Sequence, residues 1–275
     1  MRSARWQPTL LIRISIALHL LALALVIAAP GQWRWALGAV LVNQIVLTLA
    51  GLWPRSHWLG SNWTQLPAAA TARNEVAMTI DDGPDPVVTP QVLDILERYA
   101  VHATFFCVGD KVARYPDLCR EIVRRGHALE NHSQHHRHTF AFLGYSGFMR
   151  ELQAAQDTLA AIAGERPMFF RAPAGLRNPL LDPVLHRLGL QLASWSIRGF
   201  DTRIGDAERV KSRLLRGLRP GAILLLHDGN AARTPAGIPV ILEVLPAVLA
   251  AAATADLHFV TLRQAGGDCK SRETT

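Results

Sequence analysis

The sequence predicts an α/β domain of repeated strand–helix units, preceded by two apolar N-terminal helices. Three observations carry this reading. From residue 75 to residue 262, short apolar runs alternate with longer amphipathic segments in a series of seven strands. Two long stretches before residue 54 are almost free of charge. Most of the ionisable residues with suggestive spacing fall where an apolar run ends. Repeated strand–helix units argue for parallel strands, closed as a barrel or opened as a sheet, and such folds keep their chemistry at the strand tips.

Residues 10–29 form the first apolar stretch, with Arg13 near its start, and residues 35–53 form the second, with only Asn43 and Gln44 polar. Each has about the length that crosses a bilayer. A cleaved signal peptide with Ala28 and Ala29 at its end competes for the first stretch. Its apolar core is too long for one, and a second stretch follows at once, so a two-helix hairpin is preferred. Trp33, Trp35, Trp53 and Trp58 sit where interfacial tryptophans belong. Residues 54–74 mix Pro, Ser, Asn and Thr without period and read as a linker.

Beyond the linker, a strand at 76–80 precedes a helix at 90–98, which has Pro90 in its first turn. Next come a strand at 103–108, a helix at 111–124 ended by Gly126, and a strand at 127–131 that leads into a histidine-rich loop. Ser146 reads as the N-cap of a helix at 147–162, and Pro167 opens a strand at 168–171. A helix at 179–188, a strand at 192–197, a helix at 207–216, a strand at 222–226, a helix at 238–253 and a strand at 258–262 complete the series. The expected layout is a membrane anchor at 1–53, a linker at 54–74, a catalytic domain at 75–265 and a polar tail at 266–275.

Composition narrows the function. Hydrophobic residues make up 49% of the 275 and charged ones 19%, which excludes a disordered chain and points to a membrane element. The net charge of +7 is compatible with nucleic acid, an anionic membrane surface or an anionic lipid-linked substrate. No basic stripe is interleaved with aromatics, and the arginines are scattered, most densely from 209 to 219, so nucleic acid is the weaker option. Cys107, Cys119 and Cys269 suggest neither a metal cluster nor a disulfide framework, only buried or free thiols.

The run Met78-Thr-Ile-Asp-Asp-Gly-Pro delivers Asp81 and Asp82 at a strand end, where a turn through Gly83-Pro84 lets both carboxylates face one cavity. Turn chemistry alone would explain these residues, but the rest of the chain supplies partners. His132 and His136 are four apart, so one helical turn after the strand would put both imidazoles on one side, with His135 and His138 less suitably spaced. Two His and one Asp leave coordination positions open for water and substrate, which suits a catalytic Zn²⁺ or another divalent ion; a histidine-rich surface loop is the bland alternative. Arg171 at a strand tip is a structural ion pair or the partner that keeps a catalytic carboxylate ionised. Asp201 is a further strand-end carboxylate, for which helix capping is an equal explanation. His227 beside Asp228 repeats the opening pattern, and a histidine next to a carboxylate can be held protonated as a general acid.

Thr-Ile-Asp-Asp-Gly-Pro, Asn-His-Ser-x-x-His, Arg-x-Pro-x-Gly, Trp-Ser-(x)₄-Asp and Leu-Leu-His-Asp, in this order, resemble the five motifs of the polysaccharide deacetylases, the NodB-homology carbohydrate esterases. The resemblance spans residues 75–262. It implies a distorted (β/α)₇ barrel and metal-dependent removal of an N-acetyl group from an amino sugar. It further implies Asp81 as general base and Asp82, His132 and His136 as ligands of one divalent ion, Zn²⁺ with Co²⁺, Ni²⁺ or Mn²⁺ as alternatives. By the same resemblance Arg171 and Asp201 set up the base, His227 is the general acid and Asp228 its neighbour. Ala174 stands where the family usually has an aromatic residue, and Arg198 and Thr202 stand where it usually has Asp and Trp, so substrate preference is open.

The leading expectation is a membrane-bound hydrolase of a linear amide on an N-acylated amino-sugar glycan or lipid-linked saccharide, with no protein partner inferred. A catalytically silent sugar-binding or scaffold protein on the same fold is the alternative, disfavoured because a mere binder needs neither Asp81 nor His227. Arg2, Arg5 and Arg55 flank the two spans and Arg34 lies between them, so the positive-inside tendency puts a two-pass protein of a bacterial-type inner membrane with its domain in the cytoplasm. Family members acting on wall polymers work outside, which argues for the periplasm.

Overall fold

The structure, a computed structural model, describes residues 5–267. Arg2, Cys269 and most of the tail expected at 266–275 lie outside the described residues.

Helices α1 (Leu10–Ala28) and α2 (Trp33–Leu52) are long and apolar enough to cross a membrane, and they lie side by side. Their shared face carries a polar seam, where Asn43 Nδ2 donates to Ser15 Oγ at 2.9 Å and Gln44 Nε2 lies 3.1 Å from His19 Nε2. Side-chain hydrogen bonds of this kind hold apolar helices together where lipid offers no partner.

The domain begins with α3 (Ala68–Ala72), β1 (Glu75–Gly83), α4 (Val88–Arg98), β2 (Thr104–Cys107), α5 (Gly109–Arg114), α6 (Pro116–Arg124) and β3 (Ala128–Asn131). It continues with α7 (Tyr145–Ala163), β4 (Phe169–Phe170), α8 (Leu181–Leu188), β5 (Gln191–Leu192), β6 (Ile197–Arg198), α9 (Ala207–Arg216), β7 (Ile223–His227), α10 (Val240–Thr254), β8 (His258–Phe259) and α11 (Leu262–Gly267). The strands form a parallel sheet in the order β5-β4-β3-β2-β1-β7-β6, with β8 on the lower end of β1. The sheet curls into a half-barrel flanked by helices.

Successive residues of central strand β1 point to opposite faces. Val76, Met78 and Ile80 pack outward into the core under α4, α9 and α10, while Ala77 packs inward against Phe106, Phe169 and Ile223. Both faces are buried, as parallel strands require, and each large side chain so buried contributes roughly 1.5–3 kcal/mol.

The predicted strand at 192–197 is two short strands on opposite edges of the sheet. Residues 193–196 cross between them, and the preceding segment closes the seam. Trp63 N–H donates to Leu192 O and Trp63 O accepts from Ser194 N–H, both at 2.8 Å, and Leu66 N–H donates to Gly221 O at 2.8 Å. Residues 54–74 thus pack on the barrel, held by side-chain bonds such as Asn62 Nδ2 to Pro54 O at 2.9 Å and Ser194 Oγ to Pro54 O at 2.6 Å. An apolar period could not reveal contacts made by polar groups.

Other differences are local. The helix expected at 111–124 breaks at Tyr115 (φ −127°, ψ 57°), because Pro116 excludes the helical region for its predecessor and then begins a new helix. The helix expected at 147–162 starts at Tyr145, with Gly144 rather than Ser146 at the cap. The helix expected at 90–98 starts at Val88, because Asp85 Oδ1 accepts the N–H groups of Val87 and Val88, both at 2.9 Å. The strand at 258–262 shortens to two residues, and Leu262 opens α11.

Candidate active site

The site is built on the upper end of β1. Strand alternation turns Asp81 inward and would turn Asp82 outward, but the β1–β2 register slips between Asp81 and Gly83, and Asp82 takes a left-handed φ of 71°. Both carboxylates therefore line one cavity of ≈ 400 Å³, together with His132, His136, Trp195 and His227.

His132 and His136 reach the cavity from an irregular loop, and the helical turn expected there is absent. Ser133 (φ 66°) and His136 (φ 51°) turn the chain instead, held by Ser133 N–H on Asn131 Oδ1 at 2.9 Å and His136 N–H on Ser133 Oγ at 3.0 Å. His132 Nδ1 lies 2.8 Å from Arg171 O. A carbonyl oxygen only accepts, so Nδ1 carries the proton and Nε2 presents a lone pair. That Nε2 lies 3.2 Å from Asp82 Oδ1, and His136 Nε2 lies 3.1 Å from the same oxygen. One donor atom from each of Asp82, His132 and His136 falls within 4.8 Å of the others. Lone pairs converging on a carboxylate oxygen repel unless a cation sits among them, so the donor set fits a divalent ion. Burial opposes the Asp82 charge, but the neighbouring His132 and His136 rings, with His227 beyond them, outweigh it and hold the carboxyl well below the usual range. His135 points elsewhere and pairs with Glu151 at 2.7 Å, whereas His138 lines the cavity rim.

Two charged pairs flank the ligand set. Arg171, 1% exposed, directs Nη1 to Asp81 Oδ1 at 2.6 Å and to Thr79 Oγ1 at 2.8 Å, and its other nitrogens donate to the Ala193 and Ser194 carbonyls. Its guanidinium lies 4.1 Å from the centre of the Phe106 ring. On the other side, Asp201 Oδ2 accepts the His227 N–H at 2.7 Å and Oδ1 lies 2.9 Å from Nδ1 of the same residue. Burial disfavours the imidazolium, but Asp201 more than offsets this, with help from Asp81 and Asp82, so the His227 pKa is raised.

Arg171 contacts Asp81, whereas Asp201 contacts His227. Asp228, expected beside His227, is turned away from the cavity: Thr89 Oγ1 donates to its Oδ2 at 2.5 Å and Gly229 N–H to its Oδ1 at 2.8 Å. Adjacent strand residues face opposite ways, and that alternation carries Asp228 behind the site. Its carboxyl is pushed up to about 6 by burial, which those hydrogen bonds oppose.

Residues that were not singled out also contribute. Asn230 Nδ2 donates to Asp82 Oδ2 at 3.2 Å, and Lys111 Nζ donates to Asp82 O at 2.7 Å. Asn230 lies just past the His-Asp-Gly run, which was the available signal; Lys111, at a helix start, offered none. Ala174, in a left-handed conformation (φ 54°), and Arg198 line the walls where the family usually carries other residues.

The polysaccharide deacetylase family model matches residues 68–193. A chitooligosaccharide deacetylase of Bradyrhizobium sp. is 35% identical over 172 residues, covering 60% of this chain and 78% of the relative. A peptidoglycan-N-acetylglucosamine deacetylase of Bacillus cereus is 28% identical over 214 residues, covering 76% of this chain and 75% of the relative. The crystal structure of the Bc1960 peptidoglycan N-acetylglucosamine deacetylase superposes with a TM-score of 0.67 at 25% identity, covering 74% of this chain and 91% of that one. With its parallel half-barrel and these relatives, this chain belongs to the polysaccharide deacetylase family, hydrolases of carbon–nitrogen bonds other than peptide bonds.

Proposed function

We propose that this chain is a membrane-anchored, divalent-metal-dependent enzyme that removes an acetyl or other small acyl group from an amino sugar in a glycan or lipid-linked saccharide. The observation that carries the reading is the pair of opposed dyads, Asp81–Arg171 and Asp201–His227, on either side of the Asp82, His132 and His136 donor set.

Asp82, His132 and His136 would hold the ion, Zn²⁺ by donor set, with Co²⁺, Ni²⁺ or Mn²⁺ as alternatives. When bound, that ion supplies positive charge for the acyl oxygen and makes water more acidic. Asp81 takes the proton of the attacking water. Arg171 fixes the orientation of that carboxylate through Oδ1, so that Oδ2 faces the cavity. His227, charged through Asp201, gives a proton to the departing amine, which would otherwise leave as an anion. Asp228 supports the strand end from behind.

Residues 1–53 act as a two-pass anchor in a bacterial-type inner membrane, with 75–265 as the catalytic domain facing the cytoplasm. The arginine distribution supports that orientation. A C-terminal green fluorescent protein fusion should be bright and an alkaline phosphatase fusion inactive; the reverse pattern places the domain in the periplasm.

The direct test is acetate release by the full-length chain in nanodiscs from N-acetylated chitooligosaccharides, peptidoglycan fragments and lipid-linked N-acetylglucosamine. Release from at least one, lost on chelation and restored by Zn²⁺, is expected. Metal-loaded protein that releases no acyl group from any of them is a binder and not a hydrolase.

A further inference from the structure

Beside the catalytic pocket lies a second cleft of ≈ 590 Å³ that the deacylation chemistry does not use. Trp195 and Arg198 line both, so the two spaces share a wall. Four guanidinium groups line the cleft: Arg55 from the segment after α2, Arg198 from β6, and Arg213 and Arg216 from α9. Among the described residues none of the four has a carboxylate partner. Several arginines elsewhere are neutralised, as Arg125 is by Asp94, Glu97 and Glu121.

The cleft arginines are placed by other means. Arg55 Nη1 donates to Ser196 O at 3.1 Å, and Arg198 and Arg213 each lie 5.3 Å from the centre of the Phe200 ring. Arg198 Nε is buried without a hydrogen-bond partner. Holding four like charges in one concavity is unfavourable unless an anion neutralises them, and forked guanidiniums suit phosphate oxygens. The position of the cleft indicates where that anion comes from. Trp53, which caps α2, forms part of its wall, so the cleft opens at the end of a helix suited to cross the membrane.

We propose that this cleft binds the phosphate that links the amino sugar to a membrane lipid carrier, so that the substrate is a lipid-phosphate-linked N-acyl sugar presented to the adjoining pocket. The sugar half of this proposal rests on the deacylase reading above; the phosphate half rests on the cleft alone. The lipid chain leaves along α2, and the phosphate sets the register that brings the acyl group over Asp81. An anionic phospholipid headgroup offers the same chemistry, so the test must separate it from the carrier phosphate.

The full-length, Zn²⁺-loaded chain in nanodiscs of neutral lipid is compared with its Arg213→Gln/Arg216→Gln variant in three measurements. These are the Kd of geranyl phosphate, the ratio of KM values for a short-prenyl-phosphate N-acetylglucosamine and the methyl glycoside of the same sugar, and binding to phosphatidylglycerol vesicles. Loss of each charge-assisted contact weakens binding about tenfold or more, so the variant should bind geranyl phosphate about 100-fold more weakly. The KM preference for the phosphate-linked sugar should fall in parallel, while Arg213→Lys/Arg216→Lys retains part of both. An unchanged Kd in the glutamine variant overturns the proposal. So does weakened vesicle binding with geranyl phosphate affinity intact, which makes the cleft a headgroup site. If no substrate releases acetate but the Kd still falls, the deacylase reading fails and the phosphate site stands.

Discussion

Asp201 grips His227 twice, accepting the backbone N–H at 2.7 Å with one carboxylate oxygen and lying 2.9 Å from ring Nδ1 with the other. Asp201 itself is 0% exposed, and its backbone carbonyl accepts Ala232 N–H at 2.8 Å. The grip orients the imidazole and favours its charged form, leaving Nε2 toward the cavity.

Replacing Asp201 by Asn should therefore move the pH profile. His227 acts as an acid only while protonated, so turnover falls as pH rises through its pKa, which lies above 6.5 in the native protein. Without the Asp201 charge, burial pulls that pKa down, so the alkaline limb of kcat/KM should shift to lower pH. An alkaline limb identical to wild type would show that another group sets it.

Asp81→Asn and His227→Ala should each lower turnover by about 10²–10⁴-fold, the usual worth of positioned acid–base assistance. Neither change removes one of the three donors, so metal content should stay near that of wild type. Near-normal rates in both variants would refute the assigned roles.

Metal analysis of the full chain should find about one divalent ion per molecule, since one Asp and two His make a single three-ligand site. His132→Ala combined with His136→Ala should abolish binding while the far-UV circular dichroism stays native, with some loss of Tm because the buried His132 ring gives up its contact with Arg171 O. Unchanged metal content would disprove the ligand set.

The buried strands and their polar ends were legible because apolar runs and ionisable tips are local patterns. What depended on three-dimensional closure was not. Asp201 and Asp228 are both near His227, one in space and one in sequence, and only strand alternation decides which carboxylate serves it. The convergence of His132 and His136 was anticipated for the wrong reason, since a Ser133-centred turn does what a helical turn was expected to do. Arg213 and Arg216 were legible only as part of the dense arginines from 209 to 219, and their relation to Arg55 requires the seam between the sheet edges.

Acid stability should depend on His127, far from the site. Its Nδ1 accepts the Ala103 N–H at 3.1 Å, so the ring is needed neutral, and burial, with His102 and Arg125 nearby, pushes its pKa down to about 4. In the unfolded chain it titrates near 6.5, so the unfolded state takes up the proton first as pH falls. The stability contribution is complete above pH 6.5 and is lost progressively toward pH 4, by roughly 3 kcal/mol. His127→Gln keeps an acceptor without titrating, so the drop in Tm between pH 7 and pH 4.5 should be smaller than in wild type. Equal drops would acquit His127.

The coupling between hairpin and domain rests on Gly51, and here the sign of a substitution is informative. Arg177 N–H donates to Gly51 O at 3.2 Å, and a Cβ on Gly51 would come within 2.1 Å of Arg177 O. Arg177 is itself buried, its guanidinium donating to Ser56 O, and Trp6 Nε1 ties the start of the chain to Asp182 Oδ2 at 2.7 Å. In a free helix, glycine to leucine is favourable by roughly 0.8–1 kcal/mol, since glycine is a poor helix former. Gly38, in the same helix, has nothing within 4 Å of its would-be Cβ, so Gly38→Leu should be neutral or slightly stabilising. Gly51→Leu must push α2 off the domain, costing about 1–3 kcal/mol as an overpacked contact. It should therefore lower Tm and expose residues 53–67 to protease, and, on the proposed function, turnover of a lipid-linked substrate should fall more than that of a soluble one, because the pocket is no longer held against the hairpin. If Gly51→Leu behaves like Gly38→Leu, the hairpin is a tether and plays no part in positioning the site.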